Sequence, residues 1–199
     1  ISCPKIGFRS LTVDTTLGFA VHINGESIYC RGACWTVGEI LTHAGTEASL
    51  RHDLQLARDA GVNMLRVGGT MVYESDLFYE LCDELGILVW QDFMFANMDY
   101  PVADEAFRDE IRLEAKEQLR RLAAHPSVAV YCGNSEVAQQ AAMLGMPKEL
   151  WHHDWFADEL PQLCATHHPG TAYVPSTPSG GVLPFHANTG VTHFYGIGA

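Results

Sequence analysis

Long apolar runs are missing from the 199 residues. None approaches the roughly 20 residues needed to span a bilayer, so the sequence offers no membrane helix. Basic charge is scarce too. Twelve Lys and Arg against 24 Asp and Glu leave a net charge of −12, the wrong balance for nucleic acid or an anionic membrane surface. The N-terminal Ile-Ser-Cys-Pro-Lys has no basic segment followed by an apolar one, so no signal peptide is expected there. Cysteine is thinly spread, at Cys3, Cys30, Cys34, Cys82, Cys132 and Cys164, with no Cys-x-x-Cys pair. Cys30 and Cys34 cannot alone complete a tetrahedral zinc site, and buried free thiols are the expectation. Histidine is plentiful, yet His152-His153-Asp154 and His167-His168 are adjacent residues that point to different helix faces. They read as surface features, and neither a metal nor another cofactor is expected. No Gly-x-Gly-x-x-Gly follows the first strand, which removes support for a dinucleotide fold.

What is present is a change of period along the chain. The first thirty residues read as β structure, with a turn at Asn24-Gly25 between Gly18-Phe-Ala-Val-His-Ile and Glu26-Ser-Ile-Tyr-Cys-Arg. Helical and strand patterns then alternate. Leu50, Leu54 and Ala57 share a helix face that stops at Gly61. Ser75 is placed to cap a helix carrying Leu77, Phe78, Leu81 and Leu85 before Gly86. A long helix from about Asp104 to His125 puts Phe107, Ile111, Ala115, Leu119 and Leu122 inward. Six strands are expected between the helices: Tyr29–Trp35, Asn63–Gly68, Ile87–Phe93, Ser127–Glu136, Thr171–Pro175 and Val191–Ile197. Parallel βαβ units follow from that alternation, in an open sheet or a barrel.

Polar and aromatic groups gather where these strands end. Trp35, Arg66, Asp92, Asn134, Ser135, Glu136, Ser176, His193 and Tyr195 all lie at or near C-terminal ends, with Trp90 beside them. In a parallel barrel those ends meet on one face, where active sites are built. Each residue alone has a plainer explanation: Arg66 as partner of a helix carboxylate, Trp35 or Trp90 as core. Together they favour a polar-lined pocket with aromatic walls, which suits a sugar. Glu136 carries two readings. At the end of a buried strand, desolvation would raise its pKa and fit it to protonate a leaving oxygen. Before Val137-Ala-Gln-Gln-Ala-Ala it could equally cap a helix.

Asn63-Met-Leu-Arg-Val-Gly-Gly, the run from Glu74 through Gly86-Ile-Leu-Val-Trp-Gln-Asp-Phe-Met-Phe-Ala, and His125-Pro-Ser-Val-Ala-Val-Tyr-Cys-Gly-Asn-Ser-Glu resemble the catalytic barrel of glycoside hydrolase family 2. The β-mannosidase-like branch is the most similar. Gly7-Phe-Arg and Arg31-Gly-Ala-Cys-Trp resemble the passage from a preceding β-sandwich domain into the barrel; Pro175-Ser-Thr-Pro-Ser-Gly-Gly and Thr192-His-Phe-Tyr-Gly resemble later segments. The resemblance implies residues 1–27 as the end of that sandwich with a lead-in hairpin, and 28–199 as a partial (β/α)8 TIM barrel of about six strands. It implies a retaining exo-β-glycosidase with Glu136 as general acid/base and the other strand-end residues as sugar ligands, Asp92 holding a hydroxyl. The nucleophile of the family has no counterpart here, which makes the chain by itself an expected fragment, unable to complete the double displacement. The expected partner is a β-linked carbohydrate, and a homo-oligomer is compatible with that.

Two departures bear on specificity. The branch has Trp-Gly-Gly-Gly after its Arg-Val, where this chain has Gly68-Gly69-Thr70-Met71, so an aromatic wall is lost. It also has Asn before the acid/base, where this chain has Ser135. An exo-β-glucosaminidase or β-galactosidase-like activity is therefore an alternative, as is a non-catalytic carbohydrate-binding fragment. A metal-dependent hydrolase would need converging strand-end ligands, and His193 with Asp92 are too few.

Overall fold

The computed structural model describes residues 6–194 apart from 17, 40 and 44. Cys3, Tyr195 and the end of the strand expected over 191–197 lie outside the described residues.

Three short strands, β1 (Leu11–Asp14), β2 (Ala20–Ile23) and β3 (Glu26–Ile28), pair antiparallel in chain order. Asn24 and Gly25 take φ of 53° and 85°, the two successive left-handed residues that a tight hairpin turn demands. Arg9, just before β1, sends its guanidinium to the carbonyls of Pro126 and Val128. That bond pair anchors the hairpin to the second sheet.

The second sheet is parallel: β4 (Gly32–Trp35), β5 (Met64–Val67), β6 (Leu88–Asp92), β7 (Val128–Cys132) and β8 (Ala172–Val174), hydrogen-bonded in chain order. Helices α1 (Glu47–Asp59), α2 (Asp76–Leu85) and α3 (Glu105–Leu122) fill the first three crossovers. The last holds α4 (Val137–Met143), a 3-10 turn at Lys148–Leu150, a π-helical turn at Trp155–Glu159 and α5 (Leu160–His167). The fold is therefore α/β with one parallel sheet.

Local chemistry sets these boundaries. Thr46 accepts from Ser49 N and Asp104 from Phe107 N, so each satisfies an amide that its helix cannot. Ser75 sits at the N-cap of α2 without a side-chain capping bond, and Gly86 closes that helix at φ 70°. On α3 the buried residues are Ile111, Ala115, Leu119 and Leu122, at helical spacing. They join Leu54, Phe78, Leu81, Val67, Val89 and Trp155 in the core between sheet and helices. Burying each large side chain there contributes about 1.5–3 kcal/mol relative to exposure. The other sheet face carries a smaller cluster of Met64, Val130, Cys132 and Val174, against Leu11 and Phe19.

Three expectations are corrected. The sixth strand is absent from the described part of 191–197: Val191 makes a single antiparallel bridge to Ser179, and 192–194 form no strand. Cys82, Cys132 and Cys164 are buried free thiols, but Cys34 is exposed because β4 is the edge strand. His168 is no surface residue. It is 8% exposed, and its Nδ1 lies 2.9 Å from the Tyr131 hydroxyl.

Burial pushes the His168 imidazole down to about 4, and the nearby charges of Arg9 and His125 act the same way. Unfolded, the ring takes a proton near pH 6.5, so between pH 6.5 and about 4 the unfolded chain holds more protons. Stability therefore falls as pH drops through that window, by at most about 3 kcal/mol from this group. Urea midpoints at pH 7.5 and 5.0 should lie closer together in His168→Gln than in the parent; an equal gap refutes the assignment.

Candidate active site

Strand register decides which side chains meet. Cys34 pairs with Arg66, Arg66 with Trp90, and Trp90 with Val130; Asp92 pairs with Cys132, and Cys132 with Val174. Arg66, Trp90 and Asp92 thus share the sheet face turned away from the helices. Trp35 pairs with Val67 and so faces the helices. Its indole N–H donates to Glu74 Oε1 at 2.8 Å and its ring packs 5.0 Å from Phe78. Trp35 is a core residue and does not join the cluster.

Arg66 is the hub. Its Nη2 donates to Asp92 Oδ2 at 2.7 Å, Ser135 Oγ at 3.1 Å and Thr177 Oγ1 at 2.6 Å, while Nε reaches Asp92 Oδ1 at 3.3 Å. Asp92, fully enclosed, also accepts from Gly69 N and Trp90 Nε1, both at 3.0 Å. Burial pushes its carboxyl above the usual carboxylate value although Arg66 pulls the other way. All these donors belong to the protein, so Asp92 lies beneath Arg66 and Trp90 and holds them in place. The backbone just after β5 is open: a Cβ at Gly68 would meet only Asp92 Oδ2, at 4.0 Å.

Beyond β7 the chain is laced to the loop after β8. Gly133 comes so close that a Cβ would lie 2.5 Å from Pro175 O, which only glycine permits. Thr177 N donates to Asn134 O at 3.0 Å, and Glu136 N to Thr177 O at 2.8 Å. Ser135 bridges Ala96 on one side and Thr177 on the other, extending the sheet past its strands. Asn134 is buried: Oδ1 accepts from Val137 N at 3.2 Å and from Ser176 Oγ at 2.7 Å, and Nδ2 donates to Pro175 O. Asn134 and Ser176 therefore build the loop and sit behind the cluster.

This geometry separates the two readings of Glu136. It occupies the N-cap position of α4 but makes no capping bond; Asn134 supplies the bond to Val137 N. Glu136 has φ 63°, costly for a residue with a Cβ, at about 1–3 kcal/mol. Its Oε1 lies 3.0 Å from His193 Nδ1, and Oε2 accepts from Gln140 Nε2 at 3.2 Å. About a quarter of the side chain is exposed. The backbone is bent so that the carboxyl leaves the helix end and meets those two groups.

The cluster thus unites Arg66, Trp90, Asp92, Ser135, Glu136 and His193, with Tyr195 outside the described residues. Thr177 and Gln140 belong to it and were missed from sequence. Thr177 sits beside Ser176, which was chosen from the same loop, and Gln140 is one helical turn beyond Glu136, a spacing that was legible. Among the described residues no His, Cys, Asp and Glu group is arranged to hold a metal ion. A groove of about 1100 Å³ between β1, the turn that follows it and β8 contains neither Arg66, Asp92 nor Glu136.

No protein-family model matches the chain. Individual proteins do. A β-mannosidase of Bos taurus is 48% identical over 129 residues, which cover 65% of this chain and 14% of that protein. One of Rattus norvegicus is 35% identical over 96% of this chain and 24% of its own length. The crystal structure of a β-D-mannosidase from Dictyoglomus thermophilum superimposes with a TM-score of 0.88 at 37% identity, over 96% of this chain and 24% of that one. The chain thus spans a quarter or less of the length of these relatives. Over nearly all of its residues the chain is thus similar to β-mannosidases, in keeping with the β-mannosidase-like branch of glycoside hydrolase family 2 that its motifs resemble.

Proposed function

We propose that this chain is the acid/base-bearing part of a retaining exo-β-glycosidase of β-mannosidase type. Residues 28–199 form part of a (β/α)8 barrel, and residues 1–27 end a preceding β-sandwich and lead in through a hairpin. The barrel reading is supported by β4 to β8 lying parallel in chain order, each step made through a crossover. The antiparallel β1–β3 sheet supports a separate lead-in unit, which runs one residue past that division, to Ile28.

The single observation that carries the catalytic reading is the Glu136 carboxyl, turned from the helix end and held by His193 and Gln140. In the first half-reaction it gives a proton to the glycosidic oxygen as the bond to the anomeric carbon breaks. In the second it takes a proton from the water that attacks the glycosyl-enzyme. Retention needs a second carboxylate about 5–5.5 Å away. Asp92 is unsuited to that role, since Arg66, Trp90 and Gly69 already engage it. Its part is to present Arg66 and Trp90 to the substrate, a terminal β-linked sugar. Ser135 and His193 line the same end; Tyr195 remains a proposed ligand by position.

Mannose is the default of the branch. Ser135 favours a second reading, an exo-β-glucosaminidase or β-galactosidase-like specificity. Its hydroxyl accepts from Arg66, and the amide of Asn134 is buried in the loop and cannot substitute for the missing Asn.

In the full-length protein, Glu136→Gln should lower kcat/KM for a phenyl β-glycoside by about 10²–10⁴-fold. Unchanged hydrolysis would remove the assignment. Ser135→Asn should raise the preference for β-mannoside over β-glucosaminide and β-galactoside in a panel of aryl glycosides. A panel unaltered by that substitution rules out position 135 as a determinant of the sugar.

A further inference from the structure

Glu136 has two oxygens, and the proton that reaches the substrate leaves from one of them. Gln140 lies on α4 one turn beyond Glu136, and its amide N–H donates to Oε2 at 3.2 Å. An amide N–H can only donate, so the oxygen it meets is held as an acceptor. His193 Nδ1 stands at Oε1, 3.0 Å away, and an imidazole nitrogen can accept or donate. Resting on the acid/base reading above, we propose that Gln140 and His193 are paired positioning residues that place the catalytic proton on Oε1. With Glu136 protonated and no substrate seated, Nδ1 accepts from the Oε1 hydroxyl, which turns to the glycosidic oxygen when the sugar binds. When the proton passes to the leaving oxygen, which keeps the electron pair of the broken C–O bond, Oε1 becomes an acceptor, and the contact re-forms once water has given Nδ1 a hydrogen and taken the one on Nε2. The imidazole therefore exchanges tautomer through solvent in each half-cycle, with no net gain of protons, and reverts when Glu136 takes its proton from the attacking water.

Neighbouring charges do not replace this contact. On β5 and β6 the charged groups are Arg66 and Asp92, which neutralise each other in a direct ion pair. The loop after β8 offers the Thr177 backbone carbonyl, already accepting from Glu136 N. On α4 Gln140 is uncharged, and among the described residues His193 is an ionisable side chain that the geometry brings to the Glu136 carboxyl.

The test compares leaving groups in the full-length protein. A phenyl glycoside needs the proton; a 2,4-dinitrophenyl glycoside departs without it. Gln140→Ala and His193→Ala should each lose about tenfold or more in kcat/KM on the phenyl substrate and little on the dinitrophenyl one. His193→Asn keeps a donor near the Nδ1 position but cannot titrate. It should recover part of the phenyl rate while displacing a limb of the pH profile of kcat/KM. Equal losses on both substrates, or a parental pH profile in His193→Asn, overturn the proposal. Glu136→Gln with parental activity overturns the acid/base reading itself. Loss in Glu136→Gln beside parental behaviour in Gln140→Ala and His193→Ala overturns only the pairing.

Discussion

The cluster is organised by the contact between Arg66 and Asp92. Two unit charges 2.7 Å apart attract by about 6 kcal/mol at an effective dielectric of about 20. Removing them from water costs several kcal/mol for each ion, so the pair comes close to breaking even as a source of stability. Its value lies in geometry. Asp92 fixes the guanidinium plane, and Arg66 then spends Nη2 on Ser135 and Thr177 as well. One side chain ties together the ends of β5 and β6 and the loops after β7 and β8. A lysine, with its single compact charge on a flexible stem, has no planar fork to meet Asp92 at Nε and Nη2 together.

From that tie the position of Glu136 follows through the backbone. Thr177, held by Arg66, gives its carbonyl to Glu136 N and its amide to Asn134 O. Asn134 in turn takes over the first amide of α4. Those bonds offset the cost of a left-handed Glu136 and free its carboxyl from capping. Without them the relaxed choice is a helical or extended backbone with the carboxylate on the helix end. Strain at a single residue is thus the local sign of the network that turns its carboxyl away from that end.

Much of this was legible in the chain, and the exceptions have physical causes. The helices announced themselves by 3.6-residue spacing and by Asp104 and Gly86 at their ends. The parallel strands did not disclose their faces, because strands buried on both sides lack alternation. Trp35 was therefore assigned to the pocket, although its register with Val67 turns it toward α2. Gln91 belongs to the same face and donates into the core, to Asp92 O, while accepting from Tyr79. His168 was misplaced for a related reason: its neighbour His167 suggested a polar surface, whereas the Tyr131 hydroxyl receives it from inside. The Glu136 ambiguity could not be resolved by spacing, since a helix N-cap and a strand-end acid occupy the same position. Only the side-chain partner of Val137 N distinguishes them.

The same network constrains where the sequence can drift from its branch. Gly69 and Gly133 cannot change without rebuilding the loops, because a Cβ on either would lie within 2.5 Å of a facing carbonyl oxygen. Gly68 is different. Space surrounds it, and nothing in the Arg66–Asp92 pair depends on what stands there. Ser135 is intermediate: its backbone is fixed by bridges to Ala96 and Thr177, but its side chain is only one of three acceptors on Arg66 Nη2. The two departures from the branch fall at these permissive positions, both bordering Arg66 or Asp92. The contacts that hold the Glu136 carboxyl, from Gln140 and His193, depend on neither position. The proposed acid/base geometry is therefore separable from the side chains at 68 and 135, and each can vary without disturbing it.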